Sequence, residues 1–234
     1  MQHDNISDIS MVIPYDVGDR KLHFDTTIKT YNDYGVKNCQ LVLATRNKDL
    51  GVSDIAFEGE IDIVRYEHNG ESFNPAKALN LGVLNSKHDN VLITSPEVMP
   101  LTDVLSRFRA LIRGNYICQV FDGTEDGDTG RSLVNKRFRR WTPAMYFLAM
   151  FRKEDLEAIN GWDEKFMDGY AWEDSDFGNR FVRAGLSFEI IEDICGLHLW
   201  HSRLSMNSLS SNINKAHYKK NNAEGVTFCK NGLL

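Results

Sequence analysis

The stretch SMVIPYDVGDRKLHFDTTIKTYNDYGVKNCQLVLAT, residues 10–45, decides the fold class. Its two ends, Ser10–Pro14 and Gln40–Thr45, are short apolar runs rich in β-branched residues, a pattern that predicts buried strands. Between them, Lys21–Tyr34 carries apolar residues at helical spacing and predicts an amphipathic helix. A strand, a helix and a strand in this order are typical of an α/β fold with a largely parallel sheet.

The same alternation continues along the chain. The further predicted elements are strands at Ile61–Tyr66, Val91–Thr94, Tyr116–Phe121 and Ala144–Phe151, and helices at Pro75–Ser86, Thr102–Arg113 and Lys153–Asn160. Thr102 is the predicted N-cap of its helix. The segment Asp122–Arg131 is rich in Gly, Asp and Thr, so we predict a polar loop that is a candidate lid.

Composition narrows the class of protein. The chain has 234 residues, 42% of them hydrophobic, which suffices for one sizeable core. The net charge of −6 disfavours a broad nucleic-acid-binding face, although the basic run Lys136–Arg140 with Trp141 favours one locally. No apolar run reaches the roughly 20 residues that span a bilayer, and the polar N-terminus is unlike a secretory signal. We therefore expect a soluble, cytoplasmic protein.

Candidate binding groups follow the predicted strands, because ligands of open parallel sheets bind beyond the carboxyl ends of strands. Ile13–Asp16, Phe73–Asn80 and Thr94–Pro100 should converge at one edge. None contains a Gly-rich phosphate loop. A nucleotide bound here would need another partner for its phosphates, and a divalent metal held by Glu97 is the obvious one.

Two histidines in HLWHSR, residues 198–203, are further candidate ligands. His198 and His201 would face opposite sides of an extended segment, but they could converge in a turn or a bent strand. Two ordinary, partly buried histidines are the alternative interpretation.

The stretch GWDEKFMDGYAWEDSDFGNR, residues 161–180, packs acids between aromatic rings. Glu173 and Asp174 begin a predicted helix, where the macrodipole favours ionised carboxylates, so capping alone could explain them. Capping does not require Tyr170 and Trp172. An aromatic ring beside a carboxylate is typical of a sugar site, since the ring stacks on the sugar and the carboxylate takes a hydroxyl proton.

Four motifs in order resemble GT-A-fold glycosyltransferases, and most closely the β-1,4-galactosyltransferase family. FNPAKALNLG (73–82) is similar to that family's FNRAKxxNxG, and INGW (159–162) to its ING[FW]. YAWEDSDFGNRF (170–181) is similar to WGGEDDDxxNR, and HLWHSR (198–203) to MxRHSR. The resemblance implies a GT-A fold, the Rossmann-like fold of nucleotide-diphospho-sugar transferases, with a central mixed, mostly parallel sheet.

The resemblance also implies roles for individual residues. Asp174 falls on the catalytic base, Glu173 on a neighbour that helps hold the acceptor, and Tyr170 on the aromatic that lies against the acceptor sugar. His201 falls on a metal-binding histidine, His198 on a methionine ligand, and Glu97 on the second acid of the metal-binding DxD. The residues implied at the nucleotide are Pro14, Tyr15, Phe73, Lys77, Asn80, Ser95 and Glu97.

The chain departs from the family pattern at further positions. DxD has become Ser95-Pro96-Glu97, Pro75 replaces the arginine of FNRAK, and FLAM (147–150) lacks the paired glycines that the family places beside the donor sugar. These departures indicate either a donor other than UDP-galactose or an altered use of metal.

The predicted function is transfer of a hexose or N-acetylhexosamine from a UDP-sugar to a glycan hydroxyl, with Mn²⁺ or Mg²⁺ and with inversion of the anomeric centre. Two alternatives stay open: a transferase acting on a modified base in DNA, and an inactive relative that binds nucleotide-sugar or carbohydrate. We predict one domain over 1–234. About 10–100 would bind the nucleotide-sugar, about 101–205 the acceptor, and about 206–234 would form a weakly packed tail.

Overall fold

The computed structural model describes residues 5–16, 18, 20–67, 73–132, 147–202 and 207–233. The strands are β1 (Ile9–Tyr15), β2 (Cys39–Thr45), β3 (Glu60–Arg65), β4 (Asn90–Thr94), β5 (Val98–Pro100), β6 (Tyr116–Gly123), β7 (Thr129–Ser132), β8 (Leu148–Arg152) and β9 (Glu189–His198). The α-helices are α1 (Lys21–Tyr34), α2 (Ala76–Leu84), α3 (Val104–Arg109), α4 (Lys153–Ala158), α5 (Glu173–Arg183) and α6 (Leu209–Ala223). Within these ranges, no helix combines the length and the apolar character needed to cross a bilayer.

These strands form one sheet in the order β3-β2-β1-β4-β8-β6-β9-β5, with β7 paired to the end of β6. β3, β2, β1 and β4 run parallel. β8 joins antiparallel to both β4 and β6, whereas β6 and β9 are parallel to each other. The predicted α/β fold with a mixed sheet is confirmed, and its continuous parallel part lies where strands and helices alternate in the sequence.

The core lies on both faces of the sheet, as the side-chain alternation of β1 shows. Met11 and Ile13 pack in the cluster that includes α1 and α3, and Val12 packs in the cluster that includes α2, α4 and α5. Gly82 allows α2 to approach closely, because a Cβ there would lie 2.2 Å from a methyl carbon of Val12.

The helix predicted at Thr102–Arg113 is shorter than expected, and its N-cap is Asp103. The Asp103 carboxylate accepts a hydrogen bond from the backbone N–H of Ser106, whereas the Thr102 hydroxyl accepts one from the backbone of Cys195. Thr102 therefore ties the helix start to β9 and does not cap the helix.

The prediction of a polar loop over Asp122–Arg131 is wrong at both ends of the segment. β6 continues to Gly123 and β7 begins at Thr129, so the segment is a hairpin within the sheet. The turn is closed by a hydrogen bond from the Thr124 N–H to the Asp128 carbonyl at 2.9 Å. Turn residues dominate the composition of this segment and conceal the strand ends that flank them.

The prediction of a weakly packed tail is also wrong, because α6 packs against the acid-rich segment. Ser211 and Asn214 are fully buried, and the Asn214 amide donates to the carbonyls of Phe166 and Ala171, each at 2.8 Å. Hydropathy does not detect this packing, because a buried amide that donates to two backbone carbonyls provides it.

Candidate active site

Glu97, His198 and His201 converge at one end of the sheet. Glu97 directly precedes β5, and β5 pairs with β9 so that Val98 lies opposite His198, the last residue of β9. Nε2 of each histidine lies 3.7 Å from Oε1 of Glu97, and the possible ligand atoms of the three residues all lie within 4.8 Å of one another. His198 and His201 therefore converge on Glu97, which answers the question that the sequence left open.

Glu97 is an ionised carboxylate in a buried position. Burial by itself would raise the pKa of Glu97, but the nearby His198, Arg20 and His201 bring it down to about 2. The Arg20 guanidinium contributes an ion pair, with its Nη1 2.9 Å from Oε1 of Glu97. Glu97 therefore keeps its negative charge throughout the physiological pH range.

The three residues fit a divalent cation. Oε2 of Glu97 is buried and has no hydrogen-bond partner among the described residues, although an unsatisfied buried carboxylate oxygen is costly. Burial, together with Arg20 and His198, lowers the pKa of His201, which favours the neutral imidazole that binds metals. One carboxylate with two imidazoles is a mixed ligand set, which suits Mn²⁺ better than the oxygen-preferring Mg²⁺.

Asp174 and Glu173 lie in the first turn of α5, as predicted. Asp174 is half-buried, and burial raises the pKa of its carboxyl, so the carboxylate is a stronger base than an ordinary aspartate. Its Oδ1 accepts from the backbone N–H of Ser175 at 2.7 Å. Glu173 is buried and accepts from the amide of Asn74 at 3.3 Å, which joins α5 to the 73–82 motif.

Buried hydrogen bonds connect the 159–162 motif to the 73–82 and 170–181 motifs. The Asn80 side-chain amide bonds both the backbone N–H and the carbonyl of Trp162, at 2.9 and 2.8 Å. Arg180 is fully buried, pairs with Asp176 at 2.7 Å, and donates to two carbonyls of the 159–162 motif. The motifs 73–82, 159–162 and 170–181 thus form one packed unit. We predicted Asn80 at the nucleotide, but its side-chain amide forms hydrogen bonds within this unit.

Two consecutive residues before α5 have a left-handed backbone. Ala171 has φ of 59° and Trp172 has φ of 77°, and the similar family motif WGGEDDD carries glycines at these two positions. Strained backbone of this kind persists only where the surroundings over-determine it, and it clusters at functional sites. Here α6 supplies the restraint, because the Trp172 indole donates to the Ser211 hydroxyl at 3.1 Å and packs against Tyr218. The acceptor contact of Trp172 stays a prediction, as does that of the half-buried Tyr170.

Replacing Ala171 by glycine should stabilise the protein, since glycine adopts the left-handed region without strain. We expect the free energy of unfolding to rise by roughly 0.5–1 kcal/mol, after allowing for the greater freedom of glycine in the unfolded chain. The matched control is Ala184→Gly, because Ala184 has φ of −71° at the end of α5 and should lose stability on this change. Urea unfolding measures the change in the free energy of unfolding for each variant. If both variants were less stable than the wild type, the inferred strain at Ala171 would be contradicted.

The residues predicted at the nucleotide lie at or near the ends of the first strands. Pro14 and Tyr15 end β1, where Tyr15 stacks on Phe24 with ring centroids 4.3 Å apart and burial raises its pKa to about 12. Tyr15 is 1% exposed, so its ring belongs to the core. Ser95 is buried in the turn before β5, where its carbonyl accepts from the Val98 N–H at 3.1 Å.

Phe73 lies just before α2, and Lys77 lies in the first turn of that helix. Both side chains are half-buried. The Arg46 guanidinium lies over the Phe73 ring, 5.5 Å from its centroid, and forms an ion pair with Asp16. These contacts place a cation and an aromatic face beyond the ends of β1 and β2.

Sequence reasoning missed Arg20, Arg46 and Asp122 as site residues. Arg20 pairs with Glu97, and an oxygen of Asp122 lies 3.5 Å from Nδ1 of His198. Arg46 directly follows β2 and Asp122 lies near the end of β6, so attention to charged residues at strand ends would have identified both. The basic run 136–140 and Trp141 lie outside the described residues.

Comparison with known proteins bears on the fold and the family resemblance. Residues 137–201 match a family model described as the N-terminal domain of galactosyltransferase. No curated protein matches the chain significantly. Among solved structures, S. aureus TarS 1-349 in complex with UDP is 11% identical with a TM-score of 0.67, and the alignment covers 97% of this chain and 68% of that one.

Two further structures extend the comparison. The catalytic domain of Drosophila beta1,4-galactosyltransferase 7, in complex with xylobiose, is 14% identical with a TM-score of 0.58, covering 97% of this chain and 83% of that one. The mannosyltransferase PcManGT from Pyrobaculum calidifontis, in complex with GDP-Man and Mn²⁺, is 15% identical with a TM-score of 0.57. The alignment covers 93% of this chain and 64% of that one. The fold is that of GT-A glycosyltransferases.

The predicted GT-A fold and the predicted resemblance to galactosyltransferases are therefore confirmed. The alignment with another S. aureus TarS structure covers 37% of that chain, so the present chain corresponds to only part of that protein. Glu97 and the two histidines lie together at one end of the sheet of this fold.

Proposed function

We propose that this chain is a metal-assisted, inverting glycosyltransferase. It transfers a hexose or N-acetylhexosamine from a UDP-sugar to a hydroxyl of a glycan acceptor. The observation that carries this proposal is the convergence of Glu97, His198 and His201 on a GT-A fold, with ligand atoms within 4.8 Å of one another. Comparable structures are complexes with UDP, or with GDP-Man and Mn²⁺, and they support a nucleotide-sugar donor and a metal.

Glu97, His198 and His201 would hold the cation. Mn²⁺ is our first choice because two imidazole ligands disfavour Mg²⁺ and a comparable structure holds Mn²⁺. When bound, the cation neutralises the charge that develops on the departing diphosphate. The Arg20 guanidinium, 2.9 Å from Glu97, adds a second positive charge to the same region.

Asp174 acts as the general base. Its carboxylate takes the proton from the acceptor hydroxyl, and the resulting oxygen attacks the anomeric carbon from the face opposite the leaving UDP. A direct displacement of this kind inverts the anomeric centre and requires no covalent intermediate. Glu173, fixed by its contact with Asn74, helps position the acceptor.

The test of this function is UDP release from a panel of UDP-sugars with Mn²⁺, with Mg²⁺ and with EDTA. We expect slow hydrolysis of one donor with Mn²⁺, less with Mg²⁺ and none with EDTA. If UDP binds but no donor is turned over with either metal, with or without glycan acceptors, the chain is a binding relative and not an enzyme.

A further inference from the structure

We infer that Asp122 is a positioning residue of the metal site: it orients the His198 ring so that Nε2 faces Glu97 and the cation. The inference rests on the proposed metal site but concerns a residue that none of the four motifs contains. It explains how a histidine can act as a metal ligand at a position where the similar family has methionine.

The sheet fixes the relative positions of these two residues. β6 and β9 pair in parallel with Asp122 directly beside His198, and Oδ1 of Asp122 lies 3.5 Å from Nδ1 of His198. The other ring nitrogen, Nε2, lies 3.7 Å from Oε1 of Glu97. The imidazole therefore lies between two carboxylates, with one nitrogen toward each.

The packing around this pair leaves the ring little freedom. His198 is 3% exposed, and Phe147 meets its ring edge-on with centroids 5.5 Å apart. The next residue of β6, Gly123, lies so close to β9 that a Cβ there would be 2.9 Å from the carbonyl oxygen of His198. The end of β6 is thus held firmly against the strand that carries the histidine.

The chemistry follows from the two ring nitrogens. A neutral imidazole carries one proton, and a carboxylate beside Nδ1 favours the tautomer with the proton on that nitrogen. Nε2 then keeps its lone pair for the cation, and the carboxylate makes it a stronger ligand. Methionine has no N–H donor, so the Asp122 carboxylate acquires this role only because residue 198 is histidine.

The experiment uses the full chain with Asp122→Ala, Asp122→Asn and the control Asp126→Ala, whose carboxylate is exposed on the turn between β6 and β7. Mn²⁺ affinity is measured without donor, by the EPR signal of free Mn²⁺. The tautomer of His198 is read separately from the ¹⁵N shifts of its ring in metal-free protein. Thermal unfolding checks that each variant is folded.

We expect Asp122→Ala to weaken Mn²⁺ binding by about 10–100-fold and to shift the His198 ring toward a mixture of tautomers. Asp122→Asn should lose less affinity, because an amide oxygen beside Nδ1 can also accept a hydrogen bond from Nδ1–H. Asp126→Ala should match the wild type. If folded Asp122→Ala binds Mn²⁺ like the wild type, or keeps the wild-type tautomer, the inference is overturned.

The two proposals fail in different ways. A wild-type chain that binds no Mn²⁺ would refute the proposed metal site, whatever the tautomer of His198. A wild-type chain that binds Mn²⁺, with no change in Asp122→Ala, would leave the metal site in place and remove Asp122 from it.

Discussion

Replacing Asp174 by asparagine should abolish sugar transfer while leaving UDP binding nearly unchanged. Asparagine has the size of aspartate, and its amide oxygen can still accept from the Ser175 N–H that now bonds Oδ1. The change therefore removes the base and leaves the start of α5 in place. General base catalysis contributes about 10²–10⁴-fold, so kcat should fall by at least that range at saturating donor and metal.

The matched control is Asp168→Asn in the same acid-rich segment. Asp168 pairs with Lys165 at the surface, where such pairs contribute little to stability, and nothing places it at the reaction. Asp168→Asn should keep wild-type transfer and wild-type UDP affinity. The assignment of Asp174 would be refuted if Asp174→Asn lost UDP affinity but turned over normally when saturated.

The elements of the first half were predictable because their sequence periods are local. The apolar run of β1 and the helical spacing of α1 are both contained in residues 9–34, and the structure gives α1 the predicted bounds. The motif resemblance then predicted Asp174 as the base and the two histidines as metal ligands, but it could not give their geometry. The approach of His198 to Glu97 depends on the pairing of β5 with β9, which joins segments about a hundred residues apart.

Other contacts at the site had no sequence signal at all. Arg20 reaches Glu97 across 77 positions in the sequence, and Asn74 reaches Glu173 across 99. Single-sequence patterns report local periodicity and turn chemistry, so contacts of this range become visible only after the sheet is assembled. The same limit applies to α6, because its buried amides resemble an ordinary polar surface in the sequence.

The departures from the family pattern are consistent with one altered ligand set. Ser95-Pro96-Glu97 has lost one acid of DxD, and His198 stands where the family has methionine. The site therefore has one carboxylate and two imidazoles, which remain enough ligands to hold a cation and leave coordination positions for a diphosphate. With a single carboxylate present, cation binding should depend strongly on Glu97.

Replacing Glu97 by glutamine should therefore eliminate metal-dependent turnover. The side chain keeps its size, but the only negative charge among the three ligands is lost, and Arg20 loses its ion-pair partner. Loss of an outer-shell partner weakens a metal site by about 10–100-fold, so loss of this direct ligand should exceed that range. The measurement is Mn²⁺ affinity by EPR, together with UDP release at rising Mn²⁺ concentration.

Two companion variants separate charge from fold. Glu97→Asp keeps the charge on a shorter side chain, so it should retain part of the Mn²⁺ affinity, because the carboxylate can still approach the two imidazoles. Glu192→Gln, at an exposed position on β9, should behave as the wild type. If folded Glu97→Gln retained Mn²⁺ affinity and its turnover stayed sensitive to EDTA, Glu97 would be no ligand and the metal would lie elsewhere. The histidines would then be the pair of ordinary, partly buried residues that the sequence alone allowed.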